Sequence, residues 1–253
     1  MRYLVLSDIH GNRFGLEAVL SRARDRFDRI LCLGDVVGYG ADPNRCCEIL
    51  REREAWCLLG NHDAAALGAI DISWFNPVAT QAILWTRGQL SLDNTEWLRR
   101  LKPRFENAEH GFDAVHASLR QPLEEYIIDA RIAQASLALS ARQICFYGHT
   151  HVAELYRCAN GAGARYAFEH AFLTRGGVLE MGAFVPQSWQ YLLNPGSCGQ
   201  PRDGNPQARF ALFDSDLRTV EVRAVDYDWP AARDAILKAG LPPMLGERLG
   251  QGR

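Results

Sequence analysis

The chain has 253 residues, 47% of them hydrophobic and 23% charged, enough apolar matter to bury a substantial core. With 28 basic against 30 acidic side chains its formal net charge is −2, which leaves no electrostatic footprint for a nucleic-acid polymer or an anionic membrane. Seven cysteines without a Cys-x-x-Cys pair argue against a disulfide scaffold and for reduced, buried thiols in a cytoplasmic protein.

Residues 2–7 (RYLVLS) predict a strand, followed by the polar loop DIHGN. An amphipathic helix then runs to about Phe27, with Leu16, Val19, Leu20, Ala23 and Phe27 on one face. The grammar repeats with RILCLG as strand, DVVGYG as loop, and a helix opening at Asp42-Pro43 with a capping carboxylate. AWCLLG predicts a third strand and NHD a third loop. Asn76-Pro77 starts a further helix, and TEWLRRL forms a short one after it. Strands follow around PRFENAE and GFDAVHAS, then a helix from about Asp129 to Arg142, then the strand ICFYG. Residues 153–226 read mainly as strands, with turns at NGAG, TRGG and DSD. The closing helix from Trp229 is broken by Pro242-Pro243. Alternating strand, loop and helix is the pattern of a parallel α/β sheet whose functional loops gather at the carboxyl ends of its strands. No repeat, low-complexity tract or linker divides the chain, so one domain spans residues 1–253. No apolar run reaches the ~20 residues of a membrane span, and the N-terminal run ends in Ser7-Asp8 rather than in a cleavage site.

The strand ends are where the chemistry collects. Asp8 and His10 follow the first, Asp35 the second, Asn61 and His62 the third, His116 a later one, and His149 and His151 the last. Five of the seven histidines lie in these loops, and only His110 and His170 fall outside. A scatter of core histidines would not choose strand ends so consistently. In YGHTHVAEL, His149 and His151 are two apart, which in extended chain puts both imidazoles on one side. Two aspartates, one asparagine and four histidines make seven candidate ligands: Asp8, His10, Asp35, Asn61, His116, His149 and His151, with His62 left over. One ion rarely needs seven protein ligands, whereas two ions sharing a carboxylate do. Imidazole with hard oxygen suits Mn, Fe, Zn or Ni, and the absence of thiolate argues against a closed structural zinc site. Two such ions ~3.5–4 Å apart suit in-line attack of an activated water at phosphorus.

In order, Asp-x-His, Gly-Asp, Gly-Asn-His-Asp, His and Gly-His-x-His resemble the calcineurin-like metallophosphoesterase superfamily. SDIHGN, GDVVGYG and NPGSCGQPRDG are similar to its small prokaryotic stand-alone branch, and the resemblance reaches about residue 213. It implies a four-layer α-β-β-α sandwich with two mixed β-sheets flanked by helices; the helical stretches at about 64–102 separately leave room for a small cap beside the site. It also implies that Asp8, His10 and His151 hold one metal, that Asp35 bridges, and that Asn61, His116 and His149 hold the other. His62, not required as a ligand, is placed to protonate the departing alkoxide or to bond a phosphoryl oxygen.

The serine/threonine phosphatases of that superfamily extend the second motif to Gly-Asp-x-x-Asp-Arg-Gly, whereas this chain reads Gly34-Asp35-Val36-Val37-Gly38-Tyr39-Gly40. Both extra groups are missing, which counts against a protein phosphatase and leaves His62 without a carboxylate partner. Arg120 in HASLRQP and Arg202 after NPGS are candidates to grip phosphate. Trp74 and Phe75 lie where a cap over the site would form. The roles of Asp63 and Cys198 stay open, as does assembly into a homo-oligomer. The expected activity is hydrolysis of a small phosphomonoester or phosphodiester. A nucleotide-directed hydrolase, acting on dinucleoside polyphosphates or cyclic nucleotides, and a metal-binding module without catalysis are the competing readings.

Overall fold

Strand β1 (Arg2–Leu6) sends Tyr3 and Val5 into one hydrophobic cluster and Leu4 and Leu6 into another, so its sheet is covered on both faces. The structure, a computed structural model, describes residues 1–159, 168–182 and 189–253. After β1 come α1 (Arg13–Arg22), β2 (Arg29–Cys32), α2 (Pro43–Glu52) and β3 (Trp56–Cys57). Helices α3 (Asn61–Ala66), α4 (Pro77–Gln89) and α5 (Leu92–Arg99) lead to β4 (Arg104–Asn107) and β5 (Phe112–Val115). Then follow α6 (Ala130–Leu137), β6 (Ile144–Phe146), β7 (Ala153–Ala159), β8 (Phe168–Phe172), β9 (Gly177–Glu180) and β10 (Trp189–Pro195). The chain closes with β11 (Ala208–Asp214), β12 (Thr219–Val225), α7 (Trp229–Lys238) and α8 (Pro243–Glu247).

One sheet has the order β3-β2-β1-β11-β12-β9 and the other β4-β5-β6-β10-β7-β8. Both are mixed: β1 pairs parallel with β2 and antiparallel with β11, and β10 pairs parallel with β6 and antiparallel with β7. Between the sheets, Tyr3, Val5, Leu31 and Phe213 meet Phe112, Phe146 and Leu193. The Tyr3 and Phe112 rings are 5.2 Å apart in an edge-on contact. Helices α1 and α2 cover the outer face of the first sheet, where Leu16, Val19, Cys46 and Leu50 pack on Leu4, Leu6 and Phe210. Helix α6 covers the second sheet, with Ala133 and Leu137 on Cys145, Tyr156 and Leu192. The layers therefore run α-β-β-α. A fourth cluster joins α4, α7 and α8 around Tyr39.

Local chemistry moves several predicted boundaries. NHD does not form a loop; Asn61 opens α3, because the Asp63 carboxylate accepts the Gly60 amide at 3.0 Å and closes the first turn. Asp42 precedes α2 but gives its first turn no side-chain hydrogen bond; its carboxylate lies 3.2 Å from Arg13 Nε. Helix α6 stops at Leu137, short of Arg142, where the Ser140 hydroxyl donates to Asp113 at 2.6 Å and accepts the Arg142 amide at 3.1 Å. Asn76 caps α4 as expected, accepting the Ala79 amide at 3.0 Å. The NGAG turn lies outside the described residues. Among the described residues no helix is long and apolar enough to cross a membrane.

Candidate metal centre

All seven predicted ligands stand just beyond strand ends: Asp8 and His10 after β1, Asp35 after β2, Asn61 after β3, His116 after β5, and His149 and His151 after β6. All seven are buried. Five occupy the left-handed backbone region, with φ of 54° at Asp8, 52° at His10, 52° at Asp35, 66° at His149 and 61° at His151. Asp and His tolerate that region better than branched residues, and surrounding bonds hold the strain. The Asp8 amide donates to Gly34 O at 3.1 Å, His10 N to Asp35 O at 2.9 Å, and Gly148 N to His116 O at 2.8 Å. The loop after β10 clamps the first from behind, through Ser197 Oγ to Asp8 O at 2.7 Å and Cys198 N to Ser7 O at 2.8 Å. Two glycines permit the close approach. A Cβ on Gly60 would lie 2.0 Å from Asp35 Oδ1, and one on Gly148 would lie 1.9 Å from Ser7 Oγ.

The imidazoles are oriented from behind. His10 Nδ1 is 3.2 Å from Val37 O, His116 Nδ1 is 2.9 Å from Leu33 O, and His151 Nδ1 is 2.7 Å from Gln200 O. A carbonyl only accepts, so each ring donates from Nδ1 and keeps a bare Nε2. Those bare nitrogens turn on other acceptors. His10 Nε2 and His151 Nε2 are 3.1 Å apart. His151 Nε2 is 3.4 Å from Asp8 Oδ1, His10 Nε2 3.6 Å from Asp35 Oδ2, and His116 Nε2 3.6 Å from Asp35 Oδ1. Asn61 Oδ1 stands 3.0 Å from His116 Nε2. His149 Nε2 is buried with no hydrogen-bond partner among the described residues.

Lone pairs facing lone pairs and carboxylates, without protons between them, are unfavourable away from water; cations at their focus remove the conflict. The donors fall into two sets, Asp8 with His10, Asp35 and His151, and Asp35 with His116 and His149. Within each set the donor atoms lie within 4.8 Å of one another, and Asp35 belongs to both. Asn61 joins the second through its oxygen. Imidazole with hard oxygen and no thiolate fits a pair of transition-metal ions. Charge follows burial. Burial pushes the Asp8 carboxyl up, and burial followed by the neighbouring Asp63 and Asp8 pushes Asp35 well up. Burial first, then nearby positive groups, drives His10, His149 and His151 well below the usual imidazole value.

His62 adjoins the cluster, its ring 4.8 Å from that of His10, 4.4 Å from Tyr39 and 5.3 Å from Phe75. Its backbone amide donates to Asp35 Oδ1 at 2.8 Å. Its Nδ1 is buried against Gly38 with no hydrogen-bond partner among the described residues. Burial, then the neighbouring Arg202 and His116 side chains, hold its pKa well down. Asp63 gives it no support, because both carboxylate oxygens accept backbone amides, from Val37 at 3.0 Å and Gly60 at 3.0 Å. Asp63 thus ties the Asp35 loop to α3.

Arg202 lies against the cluster: its amide donates to His151 O at 3.2 Å, and its guanidinium carbon is 6.0 Å from the Tyr39 ring centroid. Arg120 does not offer a free cation, since Glu125 Oε1 lies 3.3 Å from its Nη2. The Cys198 side chain packs in the core cluster of β1 and α1 and fills space. Sequence reading missed three features. The half-exposed Tyr126 stacks on His149 with ring centroids 3.9 Å apart, and Tyr39 sits between His10 and His62. Glu154 is buried, accepts the Tyr147 hydroxyl at 2.7 Å and the Thr150 hydroxyl at 3.3 Å, and pairs with His170 at 3.0 Å. Asn194 then donates to Thr150 Oγ1 at 3.0 Å and Gly148 O at 2.8 Å, fixing the loop that carries both late histidines. The Thr between the histidines was a visible signal; its partners on other strands were not.

Residues 1–217 match the calcineurin-like phosphoesterase superfamily domain. The chain is 37% identical to a metallophosphoesterase from Sphaerobacter thermophilus of known crystal structure, with both chains fully covered and a TM-score of 0.86. It is 34% identical over 253 residues to an uncharacterized protein of Methanocaldococcus jannaschii, covering 98% of this chain and 97% of that one. A hypothetical protein of Pyrococcus horikoshii shares the fold, with a TM-score of 0.77 at 18% identity over 100% of this chain and 98% of that chain.

Proposed function

This chain belongs to the calcineurin-like phosphoesterase superfamily and is a phosphoric ester hydrolase, and we propose that it works with two metal ions on small phosphomonoesters or phosphodiesters. The observation that carries the proposal is Asp35, whose carboxylate belongs to both donor sets. Asp8, His10 and His151 would hold one ion with Asp35, and Asn61, His116 and His149 the other. Mn, Fe, Zn and Ni all suit these donors. When bound, such a pair would supply positive charge to the ester oxygens and lower the pKa of the attacking water. The chain's own residues orient and protonate. The carbonyls of Val37, Leu33 and Gln200 fix the ligand tautomers, and Arg202 steadies the ester's outer oxygens. His62 is neutral in the free site; a dianionic ester alongside would raise its pKa so that it takes up a proton from solvent, and the imidazolium would then pass its Nε2 proton to the departing alkoxide and return to the neutral form.

The test joins elemental analysis to turnover of nitrophenyl phosphate and bis-nitrophenyl phosphate with Mn²⁺. Two ions per chain and metal-dependent hydrolysis are expected; a chain that holds only one ion would sink the proposal. His62→Ala should slow alkyl phosphates at least ~10²-fold more than nitrophenyl phosphate, because nitrophenolate leaves without a proton. Equal losses would remove His62 from that role.

A nucleotide-directed hydrolase is the second reading. The half-exposed rings of Trp74 and Tyr126 favour it, the first edge-on to Phe75 at 4.4 Å and the second stacked on His149. Higher kcat/KM for a dinucleoside polyphosphate than for nitrophenyl phosphate, lost in Tyr126→Ala, would choose it.

A further inference from the structure

A proton donor has to hold a fixed direction, yet no hydrogen bond reaches His62 Nδ1 among the described residues. The ligand imidazoles of His10, His116 and His151 each have a carbonyl behind Nδ1. Asp63, the nearest carboxylate in sequence, uses both oxygens on the Val37 and Gly60 amides. Rings surround His62 instead. Tyr39 lies 4.4 Å from it with the planes 50° apart, Phe75 lies 5.3 Å away at 45°, and His10 meets it edge-on at 4.8 Å. Gly38 closes the remaining side, where a Cβ would fall 2.7 Å from Nδ1 and 3.1 Å from the His62 Cβ. A ring enclosed this tightly has few rotamers open to it.

These walls come from separate parts of the chain, and each is anchored. Tyr39, on the loop after β2, takes φ of 50°, a left-handed conformation that a bulky aromatic residue seldom adopts. The turn is held there by the Gly40 amide, which donates to His10 O at 2.8 Å. On its other side the Tyr39 ring packs in the cluster of Ala79, Ala82, Leu245 and Leu249. Phe75, on the segment before α4, donates its amide to Ile72 O at 3.0 Å and meets Trp74 edge-on at 4.4 Å. Asn76 follows it as the cap of α4.

We propose that Tyr39 and Phe75 are positioning residues that clamp the His62 ring by packing, where a carboxylate would otherwise hold it by a hydrogen bond. This deepens the phosphoesterase reading and rests on it and on His62 as the proton donor. The turn Gly38-Tyr39-Gly40, which lacks the Asp and Arg of the protein phosphatases, then has a task of its own. Helix α4 and the segment before it act on the reaction through Phe75.

The test compares propyl phosphate, whose alkoxide needs a proton, with nitrophenyl phosphate, whose leaving group does not, with Mn²⁺ present. Tyr39→Leu should lower kcat for propyl phosphate about tenfold or more beyond its effect on nitrophenyl phosphate, with KM little changed. Phe75→Ala should shift the ratio in the same direction. Tyr39→Phe keeps the wall and should keep the native ratio; its loss would mean that the hydroxyl acts, and would overturn the clamp. A merely structural role would slow both esters alike, which would also overturn it. In a His62→Ala background, Tyr39→Leu should leave the ratio unchanged, and a further fall would count against action through His62. Elemental analysis accompanies each variant because Tyr39 also lies 4.7 Å from the His10 ring. Phe75 stacks on no metal ligand among the described residues, so Phe75→Ala carries the comparison if Tyr39→Leu loses an ion or fails to fold. Nuclear magnetic resonance of ¹³C-histidine protein, with the His62 signal identified by its loss in His62→Ala, reads ring order without turnover. An ordered ring in the native protein and rotamer averaging in Phe75→Ala and Tyr39→Leu are expected. If no ester is hydrolysed, the phosphoesterase reading fails, while that averaging would still support the clamp. Equal order in native and variant proteins would refute it.

Discussion

Asp35 shows most directly how one side chain can serve two donor sets. Its Oδ2 faces His10 at 3.6 Å and its Oδ1 faces His116 at 3.6 Å. Asp35→Asn should therefore lower the content of both ions and cut turnover by more than ~10³-fold, whereas Asp8→Asn should lose mainly the first. Elemental analysis of the purified variants checks this, and an Asp35→Asn protein that keeps both ions would refute the sharing. Gly60 sets a steric limit on the same residue. With a Cβ 2.0 Å from Asp35 Oδ1 and 2.3 Å from its backbone nitrogen, Gly60→Ala must displace the carboxylate or the loop. A loss of ~2–4 kcal/mol in denaturant unfolding is expected, together with weaker metal retention. At this scale the candidate donors and their order were legible, because Asp and His after strands are conspicuous. Which guanidinium stays free was not: Arg120 and Arg202 look alike in sequence, and only Glu125 separates them.

Short elements behave as holders for these residues. Asn12 caps α1 by accepting the Gly15 amide at 3.1 Å, and its Nδ2 donates to Gly199 O at 2.7 Å, joining the first loop to the loop after β10. Asn12→Ala removes a cap and a buried bond together, so ~1–3 kcal/mol of stability should disappear in urea unfolding. The loop with His149 and His151 depends on Glu154, Thr150 and Asn194 in the same way. Asn194→Ala should weaken metal retention while the far-ultraviolet spectrum stays native; unchanged metal content would show that the loop holds itself. Helix starts at Pro43 and Pro77 were readable because proline fixes φ and costs no needed donor there. The end of α6 was not, since Ser140 leaves the helix for Asp113, a partner on another strand.

At the scale of the molecule, stability and metal binding are linked through buried titrating groups. His10, His62, His149 and His151 have folded pKa values below their ordinary 6.5. The unfolded chain then binds more protons below that pH, so stability falls as pH drops through it, by up to about 1.4 kcal/mol per pH unit for each proton. Asp8, Asp35, Asp63 and Asp113, raised above 3.8, act in the opposite sense: in the window above 3.8 the folded chain keeps protons the unfolded chain releases. All four histidines are driven well below 6.5, whereas of these carboxyls only Asp35 is driven well up, so the histidines dominate and the metal-free protein should melt at lower temperature at pH 5 than at pH 7. Mn²⁺ should raise the melting temperature more at pH 7, because protonated imidazoles do not ligate. A metal-free protein whose melting temperature rises on acidification over that range would contradict the assignment of neutral, buried histidines.

The sequence by itself determined the order of strands and helices and the inventory of candidate donors, because apolar periodicity dictates which faces must be covered and strand ends collect whatever the loops carry; the four layers came from the family resemblance. It also determined that His62 would lack a carboxylate partner, since the residues that would supply one are absent from the loop of Asp35. Only the tertiary structure decided which nitrogens of which histidines are bare, for that depends on carbonyls of Val37, Leu33 and Gln200 brought from other elements. It alone turned Asp63 toward backbone amides and fastened the C-terminal turn beside Arg202. Sequence spacing encodes the direction of a side chain along its own helix or strand. Partners tens or hundreds of residues away are chosen by packing, which no local pattern records.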